Sequence, residues 1–138
     1  MSEANQDAQQ QANAIADFEQ QLVCDMGKMS SDPLAFVLYA FPWGQGDLSG
    51  HNGPDEWQTK TLKQIGTLLG QGETVSHAIQ MAVASGHGIG KSALVSWVIL
   101  WSLATFEDTR GIVTANTGAQ LLTKTWPELS KWHRMCII

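Results

Sequence analysis

Met81-Ala-Val-Ala-Ser-Gly-His-Gly-Ile-Gly-Lys-Ser92 is the stretch on which the reading of this chain turns. Its first four residues read as a short buried strand, its middle as a glycine-rich loop. The apolar run from Ala93 to Ala104 then reads as a long core helix. Gly90-Lys91-Ser92 at the start of that helix completes the phosphate-loop pattern, which asks for Gly, four free positions and Gly-Lys-Ser/Thr. Counting back, the first glycine position holds Ser85, so the strict pattern is missed by one residue, and Gly86 and Gly88 supply the backbone freedom beside it. The chemistry explains the residue types. Triphosphate oxygens must be surrounded by convergent backbone N–H groups, and small residues let the chain curl enough to aim them. The following helix adds its positive N-terminal end. Ser85, Gly86, His87, Gly88, Ile89, Gly90, Lys91, Ser92 and Ala93 are therefore expected to surround a nucleotide's phosphates. Lys91 serves as the catalytic residue by bringing a mobile charge to the β- and γ-phosphates. Ser92 ligates Mg2+ through its hydroxyl. His87, at a variable position, faces water or packs.

Working outward, a polar break at Glu107-Asp108 separates the core helix from Gly111-Ile-Val-Thr-Ala115, which reads as a second strand. Residues 117–125 read as helix up to Pro127, and the spacing of Thr125 and Glu128 predicts a capping box opening a fresh or kinked helix through His133. The order strand, loop, helix, strand, helix is that of a βαβ unit with parallel strands. Upstream, Pro54, Asp55 and Glu56 mark the start of a helix that Gly70 stops, with Trp57, Leu62, Ile65 and Leu69 on its apolar face. A short helix is expected near Ser76–Gln80 after a Gln71-Gly72 turn. Pro42 to Gly53 is a loop, and Leu34 to Phe41 is a helix or a strand. Ile15, Phe18, Leu22 and Met26 recur at helical spacing, so a first helix runs from Ala14 to about Lys28. Residues 1–13, rich in Gln, Ala, Asn and Asp, read as disordered. The domain division expected is an N-terminal arm over 1–30 and an incomplete α/β phosphate-loop NTPase domain over 31–138.

Charge is unevenly placed in a chain of net charge −5: residues 1–56 hold one base against nine acids, and residues 57–138 hold seven against four. The acidic arm cannot clamp nucleic acid, because neutralising phosphates takes Lys and Arg. Cys24 and Cys136 lie far apart without metal-type spacing and read as reduced thiols of a cytosolic protein. No apolar run approaches the ~18 residues of a membrane span, so no membrane partner is expected.

Ala84 to Ala93, continued by Ser96-Trp97, Asp108-Thr-Arg-Gly-Ile-Val-Thr-Ala-Asn-Thr117 and Lys124-Thr-Trp126, resembles the large terminase subunit of tailed bacteriophages. Asp32-Pro-Leu34, Phe41-Pro-Trp-Gly44 and Gly53-Pro-Asp-Glu-Trp-Gln58 resemble that family's approach to its ATPase core. The resemblance spans roughly residues 30–135. It implies a RecA-like fold with a parallel sheet core, and a motor that couples ATP hydrolysis to moving double-stranded DNA into a capsid. ATP and Mg2+ are the ligands it implies. The partners are DNA, the small terminase subunit, the portal and further copies of the full-length chain, in the cytoplasm of a bacterial host. It also gives Trp57-Gln58 the look of the aromatic-Gln element that recognises adenine; the residues alone favour Gln58 as a solvent-facing helix residue.

That family continues with an Asp-Glu pair after an apolar strand, a coupling motif and a nuclease domain, and none of these words occurs in the 138 residues. Asp55-Glu56 follows a loop and cannot replace the pair. The chain is therefore expected to be the N-terminal part of such an ATPase domain, binding ATP without cleaving it. Other expectations stay open: a helicase-like or kinase phosphate-loop protein, or a nucleotide-binding fragment that serves as an assembly module.

Overall fold

A computed structural model describes residues 3–70, 78–84, 86, 88 and 90–138. Its helices are α1 (Glu3–Met29), α2 (Pro33–Ala40), α3 (Glu56–Gly70), α4 (Lys91–Thr105), α5 (Gly118–Gln120) and α6 (Trp126–Met135). A five-residue π-helical segment, Leu121–Thr125, joins α5 to α6, and a 3-10 turn covers Gly46–Leu48.

The expected parallel sheet is overturned. The fold is 68% helix and no strand forms among the described residues, so the sheet core of a RecA-like phosphate-loop NTPase is absent. Residues 81–84 and 111–115 carry no regular structure. Met81 and Val83 are exposed, and Ile112 is 93% exposed. The physical reason lies in how few strand candidates there are. Two parallel strands have two open edges and need helices over both faces. A two-stranded sheet without further strands is marginal at best. Here the apolar surface of α4 is covered by helices instead: α4 packs on α1, α2 and α6.

Because α4 is apolar nearly all round, it is the axis of the core. Ala93, Leu94, Trp97, Leu100 and Trp101 are buried along it. Around Trp97 an aromatic cluster forms, with Trp132 at 5.0 Å, Trp43 at 5.8 Å and Phe41 at 6.5 Å between ring centroids. Trp101 donates its indole N–H to the Met29 carbonyl at 2.8 Å, which fixes α4 to the end of α1. Fully burying each such apolar side chain contributes about 1.5–3 kcal/mol.

Three local expectations resolve differently from the sequence pattern, and a fourth, left open, is settled. The first helix starts at Glu3 rather than Ala14, since residues 8–14 alternate Ala with Gln and Asn and Ala and Gln propagate a helix well. Leu34 to Phe41 is helical as far as Ala40, because the Asp32 carboxylate accepts from the Ala35 N–H at 3.0 Å and Pro33 stands in the first turn. The helix expected from Pro54 begins at Glu56. The Thr125 capping box does not form. Thr125 has helical dihedrals and caps nothing, and the Glu128 carboxylate instead accepts from the Trp132 indole at 2.8 Å. Pro127 lacks an N–H for the carbonyl four residues back, and the wider π turn before it absorbs that loss without a break. The Gln71-Gly72 turn and the first part of the helix expected near Ser76–Gln80 lie outside the described residues; residues 78–80 are not helical.

Candidate functional site

The start of α4 is built from glycine geometry. Gly90 precedes the helix with φ 85° and ψ 21°, and Gly88 has φ 79°. An L-residue in that left-handed region costs roughly 1–2 kcal/mol, which is why glycine stands there. No acid sits in the first turn of α4. The positive end of the helix is thus not offset by a carboxylate of its own.

Gln58 holds this corner in place. It is only 4% exposed. Its side-chain oxygen accepts from the Asp55 N–H at 2.8 Å, and its side-chain nitrogen donates to the Gly90 carbonyl at 2.9 Å. The first bond is the reach-back half of a capping box, with Asp55 at the cap and Gln58 three residues on. A methyl group on Gly90 would lie 2.6 Å from the Gln58 nitrogen, so only a glycine lets the two approach. One N–H and one lone pair of the amide remain after these bonds.

Two recesses adjoin the corner. A cavity of about 170 Å³ is lined by Gln58, Trp43, Trp97, Trp132 and His51, among others. The Trp97 indole N–H is buried without a hydrogen-bond partner among the described residues. By contrast, the Trp43 and Trp132 indoles donate to the Val37 carbonyl and to Glu128. A wider cleft of about 650 Å³ is lined by Ser92, Lys124, Glu128 and Arg134. Asp47 and Lys131 line both, so the two recesses share a wall beside the first turn of α4.

Of the residues expected at the site, Ser85, His87 and Ile89 lie outside the described residues. Gly86 is exposed with open space around it. Gln58, Gly90 and Ala93 come together at the start of α4, Ala93 buried at 8%. Lys91 is half-buried and Ser92 is exposed. Trp57 packs against the core from α3 and lines neither recess.

Sequence context does not single out Asp47 and Lys131, and it brings in Trp97 and Lys124 only through the resemblance. For Lys124, Lys131 and Arg134 a signal existed: spacings of seven and three put them on one helical face. Asp47 sits in a glycine-rich loop with no periodicity to mark it. The chain matches no protein-family model, no curated protein and no solved structure.

Proposed function

We propose that the first turn of α4 and the loop before it bind the phosphates of ATP with Mg2+, in a motor of the terminase type that moves double-stranded DNA. The observation that carries this reading is the hydrogen bond between Gln58 and Gly90. It joins the aromatic-Gln element, suited to reading a base, to the glycine that directly precedes Lys91 and Ser92.

The rest of the corner supports the same division of labour. A cavity of about 170 Å³ is smaller than the roughly 300–1,000 Å³ of a whole-ligand pocket, so it suits one ring system. The remaining N–H and lone pair of Gln58 match the acceptor and donor on the N7/N6 edge of adenine. Trp43, Trp97 and Trp132 line the cavity with aromatic surface suited to a ring system. Phosphates then fall at the N-terminus of α4, whose first turn carries no acid.

The donor set beside Ser92 fits Mg2+. The Ser92 hydroxyl and the Asp47 carboxylate line the same cleft, and both are hard oxygen donors. Among the described residues no group of three His, Cys, Asp or Glu could hold a metal ion. That suits an ion held largely through the nucleotide, where it would neutralise phosphate charge. The DNA-packaging setting, with a small subunit and a portal as partners, is supported by the sequence words around Phe41-Pro-Trp-Gly44 and Asp108–Thr117.

Titration calorimetry of MgATP into the wild type and Lys91→Ala tests the binding step. A charge-assisted hydrogen bond contributes about 1.5–3 kcal/mol, so the variant should bind about ten- to a hundredfold more weakly. Equal affinities would end the reading.

A further inference from the structure

The wider cleft holds three cations with no role in the phosphate loop itself. Lys124 comes from the π-helical segment, and Lys131 and Arg134 come from α6; all three are exposed and line the cleft with Ser92. Among the described residues the ion pair formed is Lys28–Asp25, and these three make none. Arg134 donates to the Ser130 hydroxyl at 3.0 Å, and the Lys131 ammonium lies 5.7 Å from the centroid of the Trp132 ring. Neither contact neutralises charge. The two carboxylates of the cleft, Asp47 and Glu128, leave it net positive, and Glu128 is already engaged by the Trp132 indole.

Like charges that converge on one cleft repel, and they do so beside a helix N-terminus of the same sign. An anion relieves both. Its position is set by the lining: it must lie on the Ser92 side of the corner, away from the cavity that Gln58 and Trp97 share. Arg134 presents a planar fork suited to two phosphate oxygens, and Lys124 a mobile point charge.

We propose that Lys124 and Arg134 bind the terminal phosphate of a nucleoside triphosphate whose inner phosphates sit at the first turn of α4. The cleft thereby distinguishes triphosphate from diphosphate. This rests on the phosphate-binding reading above, and the two can be separated by measuring ADP alongside ATP.

The experiment titrates MgATP and MgADP into the 138-residue chain and into Lys124→Ala, Arg134→Ala and Arg134→Lys. The wild type should prefer ATP. Each alanine variant should lose about tenfold or more of that preference with ADP affinity unchanged, which also shows that the variant is folded. Arg134→Lys should recover part of it. An ATP-to-ADP ratio that is flat in the wild type, or unmoved in both alanine variants, overturns the terminal-phosphate assignment and leaves the loop reading standing. A wild type that binds neither nucleotide overturns both.

Discussion

The Gln58 side chain donates to the carbonyl of Gly90 at 2.9 Å across 32 positions of sequence, while its own oxygen accepts from the Asp55 N–H at 2.8 Å. One buried amide thus caps α3 and fixes the corner from which α4 departs. Both elements line the same cavity, α3 through Gln58 and α4 through Ala93 and Trp97. On the proposed reading, a base bound there would meet the same side chain that holds Gly90, so base identity and the geometry of this corner would be coupled through Gln58.

Replacing that amide should therefore have two separable effects. Gln58→Ala leaves the Gly90 carbonyl and the Asp55 N–H without their partner, which costs about 1–3 kcal/mol where the groups stay buried. Urea unfolding measures this part. The variant should also narrow the preference for ATP over GTP, because a site built to hydrogen-bond one base leaves polar groups unpaired with the other. A lowered stability with an unchanged ATP-to-GTP ratio would make Gln58 a structural clamp and remove it from base recognition.

Gly90 answers to a different constraint. At φ 85° an alanine is strained by roughly 1–2 kcal/mol, and its methyl group would stand 2.6 Å from the Gln58 nitrogen. Gly90→Ala should lower stability by more than that strain alone, since the hydrogen bond to Gln58 must give way. Gly86→Ala is the control, with open space where its methyl group would go. Comparing the two urea midpoints checks the claim. A Gly90→Ala protein as stable as Gly86→Ala would mean that the corner is not held by this contact.

How much of this was readable in the residues depends on the range of the forces involved. Helices α3 and α4 follow from local signals: the Asp55-Glu56 start and the apolar run after Ser92. The Asp55-to-Gln58 cap is equally local and forms, whereas the Thr125–Glu128 pair has the same kind of spacing and does not, because a neighbouring Trp132 captures the carboxylate. The expected sheet fails for a non-local reason. Alternating or short apolar segments become strands only when other strands and covering layers are present, and residues 81–84 and 111–115 find neither. The corner at the start of α4 was legible at Gly90, Lys91 and Ser92. Its outer wall was not, because Asp47, Lys131 and Trp97 meet only once α4 and α6 are packed against each other.

The last expectation is that this chain holds ATP without turning it over. Phosphoryl transfer to water needs an acid to help hold Mg2+ and a second polar group to orient the attacking water. Glu107 and Asp108 follow the far end of α4, roughly 20 Å from Ser92 at 1.5 Å rise per residue. Glu128 is occupied by the Trp132 indole. Asp47 is the one remaining acid beside Ser92 in the cleft among the described residues. It supplies a metal ligand or a base, not both. Phosphate release with MgATP should therefore show the same slope for the wild type and for Lys91→Ala. Sustained release that depends on Lys91 would overturn this expectation and identify the chain as a complete small ATPase. Asp47→Asn, which keeps the shape and removes the charge, would then be the variant to abolish it.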